Sequence, residues 1–320
     1  MSSIDPKSLL PASIAERIAT LSLKDGRAIA VVDAAGLGEA ERAEIEREIT
    51  VTLSARSEVS DVRVVMTAER VQRRLIAVGS GKGGVGKSTL TANLAIALAR
   101  AGRKVGLVDA DIYGPSQPMI LGNQGQKPVA RDEKLVPVES EFGIPVLSMG
   151  HLVEPGRALA WRGPMAGNAL SQLVDAHWGD VDTLLVDLPP GTGDVQLTML
   201  QRFKPAGAVL VSTPQDLALI DAARAGQLFD QAGVPVIGLV ENMAGYACPH
   251  CGEVSDPFGK GGVETAAERL ELPFLGRIPL DLAIREGSDR GKPTAAGETL
   301  LAQPFHDIAA KVDAWIGARS

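Results

Sequence analysis

Nine residues limit what this chain can fold into more than any others: Gly81-Lys82-Gly83-Gly84-Val85-Gly86-Lys87-Ser88-Thr89. They meet the pattern G-x-x-x-x-G-K-[S/T]. An apolar run at 75–79 precedes them, and a helix-forming run at 89–101, stopped by Gly102, follows. In that setting the glycines let backbone N–H groups turn inward on phosphate oxygens, and the helix adds the positive end of its dipole. Lys87 can then reach the β and γ phosphates, the Ser88 hydroxyl can bind Mg²⁺, and Thr89 can touch the α-phosphate. The segment reads as a phosphate-binding loop (P-loop), and the expected ligand is ATP with Mg²⁺.

The remainder of the chain supplies a frame for such a loop. Apolar strand candidates at 104–109, 145–149, 183–188, 208–212, 235–240 and 274–278 alternate with helical stretches such as 165–177 and 217–232. This rhythm predicts an α/β unit, a mostly parallel sheet with helices on both faces. The first 70 residues read differently, as a small α+β domain. Ile14, Ile18 and Leu21 recur at helical spacing, 28–32 is β-rich, and Ile45, Ile49 and Leu53 mark a helix whose solvated side carries Glu41, Glu44, Glu46 and Glu48. Val62, Val64 and Met66 alternate as one face of a strand. The division expected is therefore 1–70 and 71–320, with a charged linker at 68–74 and a polar surface excursion at 122–142.

Two strand ends offer carboxylates. Leu184-Leu185-Val186-Asp187 places Asp187 beside the Mg²⁺, and Val108-Asp109-Ala110-Asp111 ends the strand after the loop helix. Of the latter pair, Asp111 is the favoured water-orienting residue. Lys82 stands too early in the loop to repeat the work of Lys87. A cation there can instead reach a phosphate held by another subunit, as an arginine finger does, or simply be exposed.

The two cysteines of the chain, Cys248 and Cys251, form Cys248-Pro249-His250-Cys251. Thiolates at this spacing suit a metal centre, but such a centre usually takes four ligands. A symmetric dimer supplies two pairs across its axis. A redox pair is disfavoured because Gly252, Pro257 and Gly259 follow, which is loop chemistry. On these residues alone zinc and iron–sulfur both remain open.

The loop with its early lysine resembles the deviant Walker A motif of the MinD/ParA/NifH class of dimerising ATPases. That likeness implies a Lys82 that crosses to the partner's nucleotide, an adenine-reading Asn242 in Glu241-Asn242-Met243, and a base-flanking Pro279-Leu280-Asp281. The cysteine motif, Phe258-Gly259-Lys260-Gly261-Gly262, Asp111-Ile112-Tyr113-Gly114-Pro115-Ser116, Trp161-Arg162-Gly163-Pro164-Met165 and Asp187-Leu188-Pro189-Pro190-Gly191-Thr192-Gly193-Asp194 closely resemble the Mrp/ApbC family of iron–sulfur cluster carriers. Membership implies a [4Fe–4S] cluster bridged between two subunits by Cys248 and Cys251 and passed to recipient apoproteins. The first 70 residues resemble the MIP18-like domain often fused to such proteins, with Ala34-Ala35-Gly36-Leu37-Gly38 where that domain's loop usually carries a cysteine.

Composition narrows the partners. Aromatics are 3% and the net charge is −7, with no dense basic stripe, so neither base stacking nor phosphate-backbone binding to nucleic acid is expected. No apolar run is long enough to span a membrane, and the first ten residues lack a signal-type apolar stretch, which predicts a cytoplasmic protein without membrane partners. A spatial-organising ATPase of the ParA/MinD kind and an ATPase with structural zinc are the rival readings. The membrane version of the first needs a basic amphipathic tail. The stripe Leu301, Phe305, Ile308, Val312 and Trp315 sits beside mixed charges and is expected to pack on the sheet.

Overall fold

The computed structural model describes residues 10–24, 26–34, 37–67, 73–152, 163–191 and 193–319. Several segments singled out in the sequence lie outside these residues: 1–9, Ala35 and Gly36, 68–72 of the linker, Trp161 and Arg162, and Thr192. The chain divides into two compact units, Met1–Gln72 and Arg73–Ser320.

The first unit contains α1 (Ala12–Ala15), β1 (Ile18–Lys24), β2 (Arg27–Asp33), α2 (Glu39–Ser54) and β3 (Asp61–Thr67). β1 pairs antiparallel with β2, and β2 pairs parallel with β3. The parallel pair needs a crossover, which α2 provides. Its apolar stripe buries Ile49 and Leu53 in one cluster with Ala28, Ala30 and Val32, and leaves Glu41, Glu44, Glu46 and Glu48 exposed. The helix expected through Ile14, Ile18 and Leu21 does not form. It ends at Ala15, and Ile18 and Leu21 lie in β1. Three apolar residues are a short signal, and pairing of Ile18 with Val32 and of Leu21 with Ala30 outweighs it. Lys24 pairs with Arg27, so the hairpin closes through two residues, with Gly26 at φ +77°.

The second unit runs β4 (Arg74–Ser80), α3 (Lys87–Arg100), β5 (Val105–Asp109), α4 (Gln117–Ile120), β6 (Val129–Arg131), β7 (Lys134–Val136), β8 (Val138–Glu139), β9 (Pro145–Ser148), α5 (Met149–Leu152), α6 (Gly163–Val174), β10 (Thr183–Asp187), α7 (Asp194–Phe203), β11 (Gly207–Ser212), α8 (Asp216–Gln231), β12 (Val236–Ala247), β13 (Val254–Ser255), α9 (Gly262–Arg269), β14 (Phe274–Leu280), α10 (Leu282–Asp289) and α11 (Gln303–Gly317). Its nine-stranded sheet has the order β13-β12-β11-β4-β10-β5-β9-β8, with β14 also paired to β12. All pairs from β14 to β9 are parallel; β8 and β13 join antiparallel at the edges.

Alternation along β4 sorts the two cores. Ile76 and Val78 pack with Leu90, Leu94 and Leu98 of α3 and with Phe305, Ile308 and Val312 of α11. Ala77 packs with the opposite layer, which includes Leu170, Leu200 and Phe229. The C-terminal apolar stripe is thus part of the core. No helix among the described residues is long and apolar enough to cross a membrane. The excursion at 122–142 holds the small β6–β7 hairpin. The strand expected at 235–240 continues to Ala247, because beyond Glu241 it leaves β11 and pairs with β14 and β13.

Candidate functional site

β4 lies between β10 and β11, and the phosphate-binding loop leaves its carboxyl end. Register pairs Asp187 with Val78 on one side and with Asp109 on the other. Three neighbouring strand ends therefore bring the loop and both carboxylates to the edge where open parallel sheets hold ligands. Gly84 and Gly86 stand at φ +78° and +79°, a region L side chains rarely adopt. α3 then begins at Lys87.

The cleft so formed has a volume of about 280 Å³. Residues 82–89, Ser80, Asp111 and Pro190 line it, together with Ser288 and Asp289 of α10. A larger cavity of about 570 Å³ lies at the opposite edge, where Val105 and Pro145 begin their strands. Its Arg103 and Lys104 are already paired, with Asp313 and Asp180. The buried charge lies at the smaller cleft, so that is the chemical site.

Lys87 is buried, and its Nζ donates to Asp187 Oδ1 at 2.5 Å. Thr91 Oγ1 lies 3.1 Å from the same oxygen, and Gln117 Nε2 donates to Asp187 Oδ2 at 2.9 Å. Asp109 accepts from the backbone N–H groups of Asp111 and Gln117 and from the Ser148 hydroxyl. Burial, and then the Asp187 charge, push the Asp109 carboxyl up to about 7 despite these donors and Lys87. Two crowded carboxylates beside the Ser88 hydroxyl form an all-oxygen donor set short of positive charge. That set fits a hard divalent cation such as Mg²⁺.

The other residues singled out in the sequence take varied positions. Lys82 is half-exposed and donates to Gln215 Oε1 at 3.1 Å, within its own chain. Asp111 lines the cleft and accepts from the N–H groups of Tyr113 and Gly114 at 3.0 and 3.1 Å. Asn242 reaches the loop, donating to the Val85 carbonyl at 2.7 Å. Pro279 and Asp281 do not line the cleft. Asp281 instead caps α10, accepting from Ala283 N–H at 2.7 Å. Sequence reasoning missed Thr91, Gln117, Ser148 and Ser288. Thr91 and Gln117 stand close to quoted motifs and Ser148 and Ser288 do not, and nothing local in the sequence marks what any of them bonds.

Cys248 and Cys251 occupy the tip of the β12–β13 hairpin, where Ala247 pairs with Val254. Cys248 N–H donates to Glu253, and Gly252 N–H donates back to the Cys248 carbonyl, closing the turn. Both thiols are free; Cys251 is exposed and Cys248 half-buried. The backbone N–H of Cys251, then that of His250 and the Cys251 side chain, hold the Cys248 thiol below its ordinary range. Among the described residues no three His, Cys, Asp or Glu side chains are grouped to hold a metal ion. The hairpin alone is a two-thiol half-site. It lies on the strand that also carries Asn242 to the phosphate loop.

Known proteins resemble this chain over most of its length. The ParA family model described as NUBPL iron-transfer P-loop NTPase matches residues 71–313. An Arabidopsis thaliana protein named iron-sulfur protein required for NADH dehydrogenase, mitochondrial, is 50% identical over 74% of this chain and 77% of its own. The iron-sulfur cluster carrier protein of Pseudomonas fragi is 50% identical over 71% and 79%. The solved nucleotide-binding protein of Archaeoglobus fulgidus in complex with ADP superposes with a TM-score of 0.62 at 42% identity, covering 70% of this chain and 88% of that one. By its loop, its strand-end carboxylates and these matches, the chain belongs to the NUBPL iron-transfer P-loop NTPase family.

Proposed function

We propose that the chain is an ATP-dependent iron–sulfur cluster carrier: two copies hold one [4Fe–4S] cluster between their Cys248 and Cys251 pairs and pass it to apoproteins. One observation carries this reading. Two free thiols stand at a hairpin tip with no third ligand grouped beside them among the described residues, so four thiolates require a second copy. The names of the relatives point to the same cargo.

In the mechanism, the loop N–H groups and Lys87 bind the phosphates, which takes Lys87 away from Asp187. Ser88 and Asp187 would hold Mg²⁺, which would supply charge neutralisation to the bound phosphates. Asp111 orients the attacking water, and Lys82 leaves Gln215 to reach the partner's nucleotide. Asn242 sits against the loop and reads the adenine; Pro279 and Asp281 flank the base. The segments after Asp109 and Asp187 act as switches, because each passes from a strand end at the phosphates into a Gly/Pro turn. The first unit serves as a MIP18-like docking domain. Free cysteines suit the reducing cytoplasm, where we place the protein.

The test is anaerobic reconstitution. About two irons and two sulfides per subunit are expected, lost in Cys248→Ala and Cys251→Ala while nucleotide binding persists. A zinc-only protein, or iron retained without both sulfurs, removes the carrier reading. The membrane-organising alternative loses its main feature, since the apolar face of α11 is buried in the core.

A further inference from the structure

Gln117 is fully buried and bonds to three residues beside the cleft, Asp109, Asp187 and Ser88. It opens α4, directly after the segment that follows Asp109. Its backbone N–H donates to Asp109 Oδ2 at 3.1 Å. Its side-chain Nε2 donates twice, to Asp187 Oδ2 at 2.9 Å and to the Ser88 carbonyl at 3.0 Å. Flipping the amide would turn Oε1 onto two acceptors, so the network fixes which end is nitrogen.

We propose that Gln117 is a positioning residue for the divalent cation that accompanies the nucleotide, locking the Asp187 carboxylate and the Ser88 backbone in a fixed mutual geometry. The side chain spans the two residues that donate metal-facing oxygens. With Oδ2 of Asp187 held by Gln117, Oδ1 is the oxygen left to turn toward the cation once a phosphate draws Lys87 away. Among the described residues no other side chain bonds to Oδ2, since Lys87 and Thr91 both address Oδ1.

The arrangement leaves one polar atom unsatisfied. Gln117 Oε1 is buried with no hydrogen-bond partner among the described residues. Such orphans are rare in folded proteins and call for a reason beyond packing. Here the Nε2 group of the same amide is committed to the two site residues, and that commitment fixes where Oε1 must point. The orphan is thus the consequence of aiming the donor.

This inference rests on the nucleotide half of the proposed function and is independent of the cluster. The test is a fluorescence titration of N-methylanthraniloyl-ADP into the full chain, with EDTA and across a Mg²⁺ series. Gln117→Met keeps the shape and the backbone N–H and removes only the amide. The quantity read is the affinity with Mg²⁺ divided by the affinity in EDTA for the same protein. A fall of about 10- to 100-fold in that ratio, as loss of a group that orients a metal ligand gives, supports the proposal. The Mg²⁺ concentration for half-maximal hydrolysis should rise in step. A ratio equal to that of the unaltered protein overturns it. Gln117→Asn, one methylene too short to bridge both partners, answers the question if the methionine variant folds poorly. Absence of any Mg²⁺ effect in the unaltered protein would overturn this inference alone, whereas absence of any binding of the labelled ADP would overturn the nucleotide reading.

Discussion

Lys87 Nζ lies 2.5 Å from Asp187 Oδ1, and both side chains are buried. The lysine of the phosphate loop is therefore neutralised by the carboxylate at the end of β10. In the proposed mechanism a phosphate takes over the lysine and so releases Asp187 toward a cation.

That exchange predicts the behaviour of Asp187→Asn. Breaking a buried pair from one side strands the other charge, costing about 3 kcal/mol of stability. Bound phosphate supplies the missing negative charge, so ADP in EDTA should raise the melting temperature of the variant more than that of the unaltered protein. Hydrolysis with Mg²⁺ should drop by about 100-fold. Equal thermal shifts for the two proteins would show that the pair does not gate the lysine.

His151 predicts a pH dependence away from the cleft. It is buried, its Nδ1 accepts from Ser148 N–H, and burial lowers its pKa from 6.5 to about 4. Between those values the unfolded chain binds the proton and the folded chain does not, so stability falls as pH drops from 6.5 toward 4. The full contribution is about 3 kcal/mol. His151→Asn keeps an acceptor for Ser148 without titrating. Denaturant melts at pH 6.5 and 4 should show a smaller acid loss in the variant; identical losses would remove His151 as the cause.

How much of this was legible in the sequence depends on the range of each interaction. The phosphate loop, β10 ending in Asp187 and the cysteine turn are local patterns, and the structure forms each at its expected position. The bonds of Gln117, which link residues 29 and 70 positions away, have no local signature. The Asp281 carboxylate caps α10, a bond that the resemblance of Pro279-Leu280-Asp281 to a base-flanking loop does not announce. Ile18 and Leu21 went to a strand because their partners, Val32 and Ala30, are set by a hairpin that helical spacing does not register.

Gly86→Ala probes the link between the loop and β12. A Cβ at Gly86 would stand 2.1 Å from Asn242 Nδ2, at a φ of +79°. The methyl group must displace the amide that holds the Val85 carbonyl, and the backbone is strained as well. A stability loss of about 1–3 kcal/mol is expected, with weakened nucleotide binding. Calorimetry with and without ADP measures both. Retained affinity would mean that Asn242 does not support the loop.

Replacing the two cysteines should leave the fold intact. The hairpin tip is exposed and held by backbone bonds, so Cys248→Ala with Cys251→Ala should change stability by less than about 0.5 kcal/mol. A large loss in thermal melting of metal-free protein would mean that the thiols build the hairpin and are not reserved for cargo.

The cross-subunit role of Lys82 is open to a mixing experiment. In the single chain its Nζ is held by Gln215, so a trans role requires that contact to break on assembly. Lys82→Ala should slow hydrolysis by 100-fold or so while nucleotide binding changes little. Asp187→Asn is also slow, but it keeps its own Lys82. In an equimolar mixture about half the dimers are mixed, and each mixed dimer has one site with an intact Asp187 facing an intact Lys82 from its partner. The mixture should therefore recover on the order of a quarter of the unaltered rate. If Lys82 acts within its own subunit, no complete site exists in any dimer, and the mixture stays as slow as its components.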